Sequence, residues 1–394
     1  MDRGLWVDEL ASEIAIDPQR ELIFAPLRVF WVFRGYLDER MDAGALVKMA
    51  EAVGRTGNEM FLVTGYRKAR DESAPVVYLR SLGLPLLNYI CQAISALVAL
   101  LRRARPNDVI IAEPYMAPAV LPFAILARWG LRGLRVILDV RTLPVERGRL
   151  VSGLDRALFR FGLFLARMFF VGTTVITPAM ARALKRELRG LPIGVWGSGV
   201  DLAVFDPANY DREKERERWG FGKEKVFLYH GALSSRGRGL LEAAAAFRQA
   251  NPENALLVFA GEGELSAKIR ELGGASVRVI PPVPHREVPS LLAACDFVVI
   301  PFLRTPVIDT SCPVKLLEAL AMERPIVATD VPPVRELLQE KRFWFRADGP
   351  GELARAFREA AESGLSDASG ARNIARAYSF DAQAERLIGF LRQI

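Results

Sequence analysis

Histidine occurs only twice in this chain of 394 residues, as His230 and His285. That scarcity argues against a His-rich metal site and makes a Ser–His–Asp arrangement hard to build. The three cysteines, Cys91, Cys295 and Cys312, lie far apart without a CxxC pair, so neither a disulfide framework nor a zinc site is expected. No Asp-x-Asp pair is available to chelate a metal, and neither a GxxxxGK[ST] phosphate loop nor a GxGxxG dinucleotide signature is present. No metal and no cofactor is therefore expected. A clean apolar run of about 18 residues is also missing. The nearest stretch, Leu84 to Leu101, is broken by Pro85, Asn88 and Gln92 and followed by Arg102 and Arg103, and it reads as a buried helix. The first residues, MDRGLWVDELASEIAID, are acidic and polar, unlike a secretion leader. With the unpaired cysteines this points to a reducing compartment, the cytoplasm.

Hydrophobic residues make up 51% of the chain, enough for large cores, and the length suits two or three domains. A net charge of +7 suits an anionic partner. The basic residues are spread out and match no helix-turn-helix or single-strand pattern, so nucleic acid is not expected.

Strand-like and helix-like segments alternate nearly throughout. Apolar strands read at 27–33, 60–63, 76–79, 109–112, 134–140 and 174–176, and again at 225–229, 255–260, 277–280, 297–301 and 326–329. Alternation of this kind implies parallel sheets covered by helices on both faces. Two such series imply an α/β chain of two Rossmann-like, doubly wound domains, with ligands at the carboxyl ends of the strands. The stretch GVDLAVFDPAN from Gly199 carries boundary residues. The expected division is 1–203, 204–380 and an amphipathic terminal segment, 381–394, that packs back on the first domain.

The residues that carry chemistry cluster at strand ends. In TSCPVKLLEALAMERPIVATD, from Thr310, Ser311 can cap a helix, Pro313 fits its first turn, and Lys315 and Glu318 share a face. A helix start with a lysine suits an anion such as a diphosphate, and a carboxylate one turn on can accept from sugar hydroxyls. YHGALSSRGRG places Gly231, Arg236 and Arg238 between a strand and a helix, while Glu262 sits in the turn AGEGEL. Arg34, Gly35 and Tyr36 end the first strand, Glu113 and Tyr115 end another, and Asp139 and Arg141 end a third. Leu154 to Phe170 mixes five aromatics with Arg156, Arg160 and Arg167, suited either to anionic lipid or to core packing with solvated arginines.

The order of these motifs resembles the retaining GT-B glycosyltransferases related to glycogen synthase, often called family 4 or group 1. GVD with Phe205 and Pro207, YHGALSSRGRG, FAGEGEL, VPHREVPSLLAACDFVVIP and the Pro313–Asp330 segment match it in order. The resemblance covers about residues 27 to 390. It implies a nucleotide-diphosphate sugar as donor, UDP- or GDP-linked, and a glycan or lipid-linked hydroxyl as acceptor. Glu318 would accept from the ribose. Lys315, the amides near Val314 and Leu316, and Arg236 or Arg238 would hold the diphosphate. Gly231, Glu262, Thr310 and Ser311 would line the donor site, and the backbone around Ile280 would meet the base. Arg34, Gly35, Tyr36 and Arg141 would face the acceptor, with Asp139 as a catalytic helper. A lipid-linked acceptor implies peripheral contact with the inner face of an anionic membrane. Two positions depart from the family pattern. Thr310 stands where the first Glu of its E-x7-E pair belongs, and Ala232 stands where its loop arginine belongs. The alternatives are a sugar-nucleotide 2-epimerase on the same fold and a catalytically degenerate partner subunit.

Overall fold

The computed structural model describes residues 25–39, 43–67, 75–81, 85–129, 133–144, 149–234, 237–338, 343–365 and 368–394. Thirteen strands among them form two parallel sheets. The first contains β1 (Arg28–Tyr36), β2 (Glu59–Gly65), β3 (Val76–Leu79), β4 (Val109–Ala112), β5 (Arg135–Val140), β6 (Gly172–Val175) and β7 (Ile193–Val195), in the order 3-2-1-4-5-6-7. The second contains β8 (Lys225–His230), β9 (Ala255–Ala260), β10 (Val277–Ile280), β11 (Phe297–Ile300), β12 (Ile326–Thr329) and β13 (Trp344–Ala347), in the order 10-9-8-11-12-13. Both sheets reverse direction beside their first strand, between β1 and β4 and between β8 and β11. Those two switch points are where an open α/β sheet leaves a crevice for ligands.

The central strands are apolar on both faces because both faces are covered. In β1, Val29, Trp31 and Phe33 enter one core while Phe30 and Val32 enter the other. In β8, Val226 and Leu228 face one side and Phe227 and Tyr229 the other. The sequence reading lacked β7 and β13. Each is a short edge strand of three or four residues, one carrying an exposed Val195 and the other an exposed Arg346, too polar and brief to stand out.

The helix Pro85–Arg103 differs from its sequence reading as a buried helix. Ala96 and Leu100 enter the core, but Leu87, Ile90, Ile94 and Leu101 are exposed. A helix laid on a sheet buries one face only, and this one is apolar on both. Among the described residues no helix is long and apolar enough to cross a membrane.

The two sheets are joined through 196–224. The helix Phe380–Gln393 packs on the helix Ala43–Arg55, and its Leu387, Ile388 and Leu391 share a core with Trp31 and Trp196 of the first sheet's domain. Across the junction, Lys48 pairs with Asp201 and Thr177 Oγ1 donates to the Thr310 carbonyl at 2.8 Å. The Ser198 amide points at Cys312 Sγ at 3.4 Å. The loop 310–312 is thereby pinned to the first domain. The same short segment leads directly into the helix Val314–Ala321.

Candidate active site

The carboxyl end of β8 delivers His230 and Gly231 to the second switch point. The helix Val314–Ala321 brings Lys315 and Glu318 against them. Gly231 has φ +113°, and a Cβ added there would lie 2.7 Å from Lys315 Cε and 2.8 Å from its Nζ. Only glycine allows the lysine so close to the strand end. Lys315 Nζ lies 5.7 Å from the centre of the Tyr229 ring, and Arg238 Nη1 donates to the Tyr229 hydroxyl at 3.1 Å. Two cations are thus gathered around one buried phenol. Burial, with Arg238 adding to it and Glu318 opposing, pushes the Lys315 ammonium down to about 8.

Glu318 is nearly fully buried, and both histidines of the chain turn to it. His285 Nε2 lies 2.8 Å from Oε1. His230 Nε2 lies 3.5 Å from Oε2 without hydrogen-bond alignment. Burial drives His230 down to about 4, against the pull of Glu318, so its imidazole is neutral at pH 7. The hydrogen bond to Glu318 raises His285 above its ordinary value. His285 also lies near Lys48 and Asp201, so the carboxylate is tied to the domain junction.

The helix that carries these groups starts at Val314 with Pro313 as its cap residue and no side-chain cap. The predicted Ser311 cap does not form. Ser311 Oγ donates back to the Ile308 carbonyl at 2.9 Å, and Thr310 Oγ1 donates to the Pro306 carbonyl at 2.8 Å. Both hydroxyls close the preceding short helix, Pro306–Asp309, instead of reaching forward. The helix start makes no side-chain cap hydrogen bond, and of the two amides expected to hold the diphosphate the one at Leu316 already donates to the Pro313 carbonyl at 3.0 Å. Asp309, the carboxylate nearest to the missing first Glu, is held by Arg304 Nε at 2.8 Å.

Loops after β8 and β9 knit together beside this site. The Leu233 amide donates to the Glu262 carbonyl at 2.8 Å, and the Gly261 amide to the Ile280 carbonyl at 3.1 Å. Glu262 and Ile280 therefore border the site through their backbones, with the Glu262 side chain exposed. Arg236 lies outside the described residues.

On the first switch point, the Arg34 amide donates to Glu113 Oε1, and the Arg34 guanidinium lies 3.9 Å over the Tyr115 ring. Arg34 Nη2 and the Tyr115 hydroxyl both reach Asp155, at 3.3 and 2.9 Å. Gly35 is held through its amide and carbonyl by the buried Gln92, each at 3.0 Å. Tyr36 turns away to stack under Arg67. Sequence reasoning missed Asp155 and Gln92 because both sit inside helices, with no strand-end position to flag them.

Asp139 is a correction. It is fully buried, accepts from Thr174 Oγ1 at 2.8 Å, and faces the core of Trp31 and Trp196. Burial drives its carboxyl upward. A group so enclosed does not reach a substrate. Arg141 is likewise occupied, donating to the Trp196 and Gly197 carbonyls at 2.8 and 3.1 Å. Among the described residues no group of three or more His, Cys, Asp or Glu is placed to hold a metal ion.

Known proteins resemble this chain in sequence over part of its length and in fold over most of it. The family described as glycosyl transferases group 1 matches residues 224–363. A Bacillus subtilis (strain 168) protein named as a teichuronic acid biosynthesis glycosyltransferase, TuaC, is 28% identical over 180 residues, 45% of this chain. The aligned stretch spans 44% of that relative's length. Among solved structures, Anabaena Alr3699/HepE in complex with UDP and glucose superposes with a TM-score of 0.72 at 16% identity, covering 93% of this chain and 100% of that one. Sucrose-phosphate synthase from Thermosynechococcus elongatus gives 0.71 at 15%, covering 93% and 99%.

Proposed function

We propose that this chain, which carries a glycosyl transferases group 1 domain on a GT-B fold, moves a sugar from a nucleotide-diphosphate sugar to an acceptor hydroxyl. One observation carries the reading. A buried carboxylate, Glu318, and two gathered cations, Lys315 and Arg238, stand at one switch point beside a helix start without a side-chain cap. A ribose and a diphosphate need that combination.

The donor diphosphate lies at the start of the helix Val314–Ala321, between Lys315 and Arg238. As the anomeric C–O bond breaks, charge grows on the departing phosphate oxygen, where the two cations and the helix amides stabilise it. The acceptor oxygen bonds to the anomeric carbon on the same face, with retention, and its proton passes to the departing phosphate. Glu318 takes the ribose hydroxyls in place of His285. The Glu262 turn and Ile280 flank the base. Arg34, with Tyr115 and Asp155, faces the acceptor, a glycan or lipid-linked hydroxyl. The setting is the cytoplasmic side, where nucleotide sugars are made. That Alr3699/HepE was crystallised with UDP and glucose supports UDP as the first donor to test.

A thermal-shift series across UDP-, GDP- and ADP-sugars tests the reading. One nucleotide class should raise the melting temperature, and Glu318→Gln should abolish the rise. No shift with any of them would refute it.

Convergence of both histidines on Glu318 favours one second reading, a sugar-nucleotide 2-epimerase, which needs acid/base groups. Interconversion of the nucleotide sugar without acceptor would establish it. Nucleotide release that depends on acceptor would exclude it.

A further inference from the structure

Three helices lie side by side on one face of the first sheet: Pro85–Arg103, Ala117–Arg128 and Arg149–Phe169. Their inner residues fill the core, including Ala96, Phe123 and Leu163. Their outer residues are also apolar. On the first helix Leu87, Ile90, Ile94, Val98 and Leu101 are exposed, Ile94 by 58%. At about 100° per residue they fall within roughly a quarter of the circumference. On the third, Leu154, Phe161, Phe164 and Met168 form a stripe of similar width, with Phe164 56% exposed. Trp129, at the end of the middle helix, is 75% exposed. It stands beside the end of the third helix, where the Arg128 guanidinium donates to the Met168 carbonyl at 2.6 Å.

The ionic groups around these stripes have one sign. Arg102, Arg103, Arg128, Arg156, Arg160 and Arg167 are exposed on the three helices. The first two helices contain no acidic residue, and the third contains only Asp155. Asp155 is already engaged by Arg34 and Tyr115. Exposed aliphatic and aromatic rows edged by arginine match an interfacial helix lying on lipid. A second copy fits worse, because a two-fold contact would bring together two faces that both carry arginines and no free carboxylate to meet them.

We propose that the outer face of this three-helix layer docks on an anionic lipid bilayer. The apolar rows enter the headgroup boundary, and the arginines reach anionic phosphates beside it. Asp155 ties the same layer to Arg34 and Tyr115 at the first switch point, so the docked face adjoins the acceptor side of the crevice. A membrane-anchored acceptor, its head group carrying the hydroxyl, would then enter without leaving the bilayer. That consequence rests on the transferase reading; the docking does not.

Co-sedimentation of the full chain with vesicles of phosphatidylcholine, alone and mixed with phosphatidylglycerol, tests the docking. The chain should pellet with the mixed vesicles, weakly with the neutral ones, and less as salt rises. The double variant Phe161→Glu/Phe164→Glu should partition at least about tenfold less, with an unchanged cooperative melt. Ile94→Glu should weaken binding in the same direction. Failure of the parent chain to pellet would overturn the proposal, as would equal binding of the double variant. So would a dimer without vesicle affinity that the double variant dissociates. Vesicle binding in a chain that binds no nucleotide sugar would uphold the docking and sink the transferase reading.

Discussion

His285 Nε2 stands 2.8 Å from Glu318 Oε1, where the proposed ribose contact would lie. The imidazole reaches there from the loop after β10, and the carboxylate from the middle of a buried helix. Because the hydrogen bond His285 donates to Glu318 raises its value, its charged form persists to higher pH than a free histidine's. The charged pair stabilises the fold fully below about pH 6.5, and that contribution fades as pH rises through the raised value. A ribose must displace the imidazolium. Nucleotide affinity should therefore rise severalfold between about pH 6 and pH 8. Calorimetric titration of His285→Ala should give a flatter profile and tighter binding at the acid end. An unchanged slope in that variant would remove His285 from the donor site.

Lys315, pushed down to about 8 by burial, carries its charge below that pH and loses it above. If the ammonium stabilises the leaving diphosphate, kcat/KM should decline above about pH 8, where free enzyme loses the proton. Bound diphosphate restores the charge, so the same limb in kcat should lie higher. Lys315→Ala should lower transfer about a hundredfold, equivalent to ~3 kcal/mol of barrier, and abolish the limb. Initial rates from about pH 6 to pH 10 decide it.

Gly231→Ala should disturb this lysine without touching its charge. The new methyl would lie 2.7 Å from Lys315 Cε on a backbone at φ +113°. Strain of this kind costs about 1 kcal/mol or more of stability. Displacement of the ammonium should also lower kcat/KM at least about tenfold, more than the drop in melting temperature accounts for. Full activity in a merely less stable variant would separate Lys315 from the chemistry.

His230 makes the fold acid-sensitive. Its folded value near 4 lies below the ordinary 6.5, so the unfolded chain takes up a proton that the native chain refuses. Stability from this group falls as pH drops below 6.5, by about 2 kcal/mol between pH 7 and pH 5, and levels off below about pH 4. Urea unfolding of the parent and of His230→Asn at those two values should show the smaller loss in the variant. Equal losses would place the acid sensitivity elsewhere.

The two-domain architecture was legible because parallel strands covered on both faces are apolar on both faces through their centres, and β1, β8 and β12 read that way. The donor side was legible for a related reason. Gly231 follows a strand end, and Lys315 and Glu318 lie in the first and second turns of a helix that follows another. Parallel topology brings such ends to one edge. Helix-borne partners such as Asp155 and Gln92 carried no comparable mark. His285 stood within the matched segment VPHREVPSLLAACDFVVIP, but nothing in that segment marked it as the partner of Glu318.

By itself, then, the sequence determined where the central strands lie, which of their ends carry charge, and that Lys315 and Glu318 share a helix face. Local periodicity settles those matters. The tertiary structure decided what each strand-end group faces. Asp139 and Arg141 end the same strand, yet Asp139 is sealed under Trp31 and Trp196 by the parity of its position. Arg141 passes beyond the strand to the linker carbonyls. Thr310 is fixed by Thr177, which lies 133 residues earlier in the chain. The helix Pro85–Arg103, with apolar residues on opposite faces, could not reveal which face the sheet would leave uncovered. Contacts between residues distant in sequence answer these questions, and they exist only once both sheets have packed.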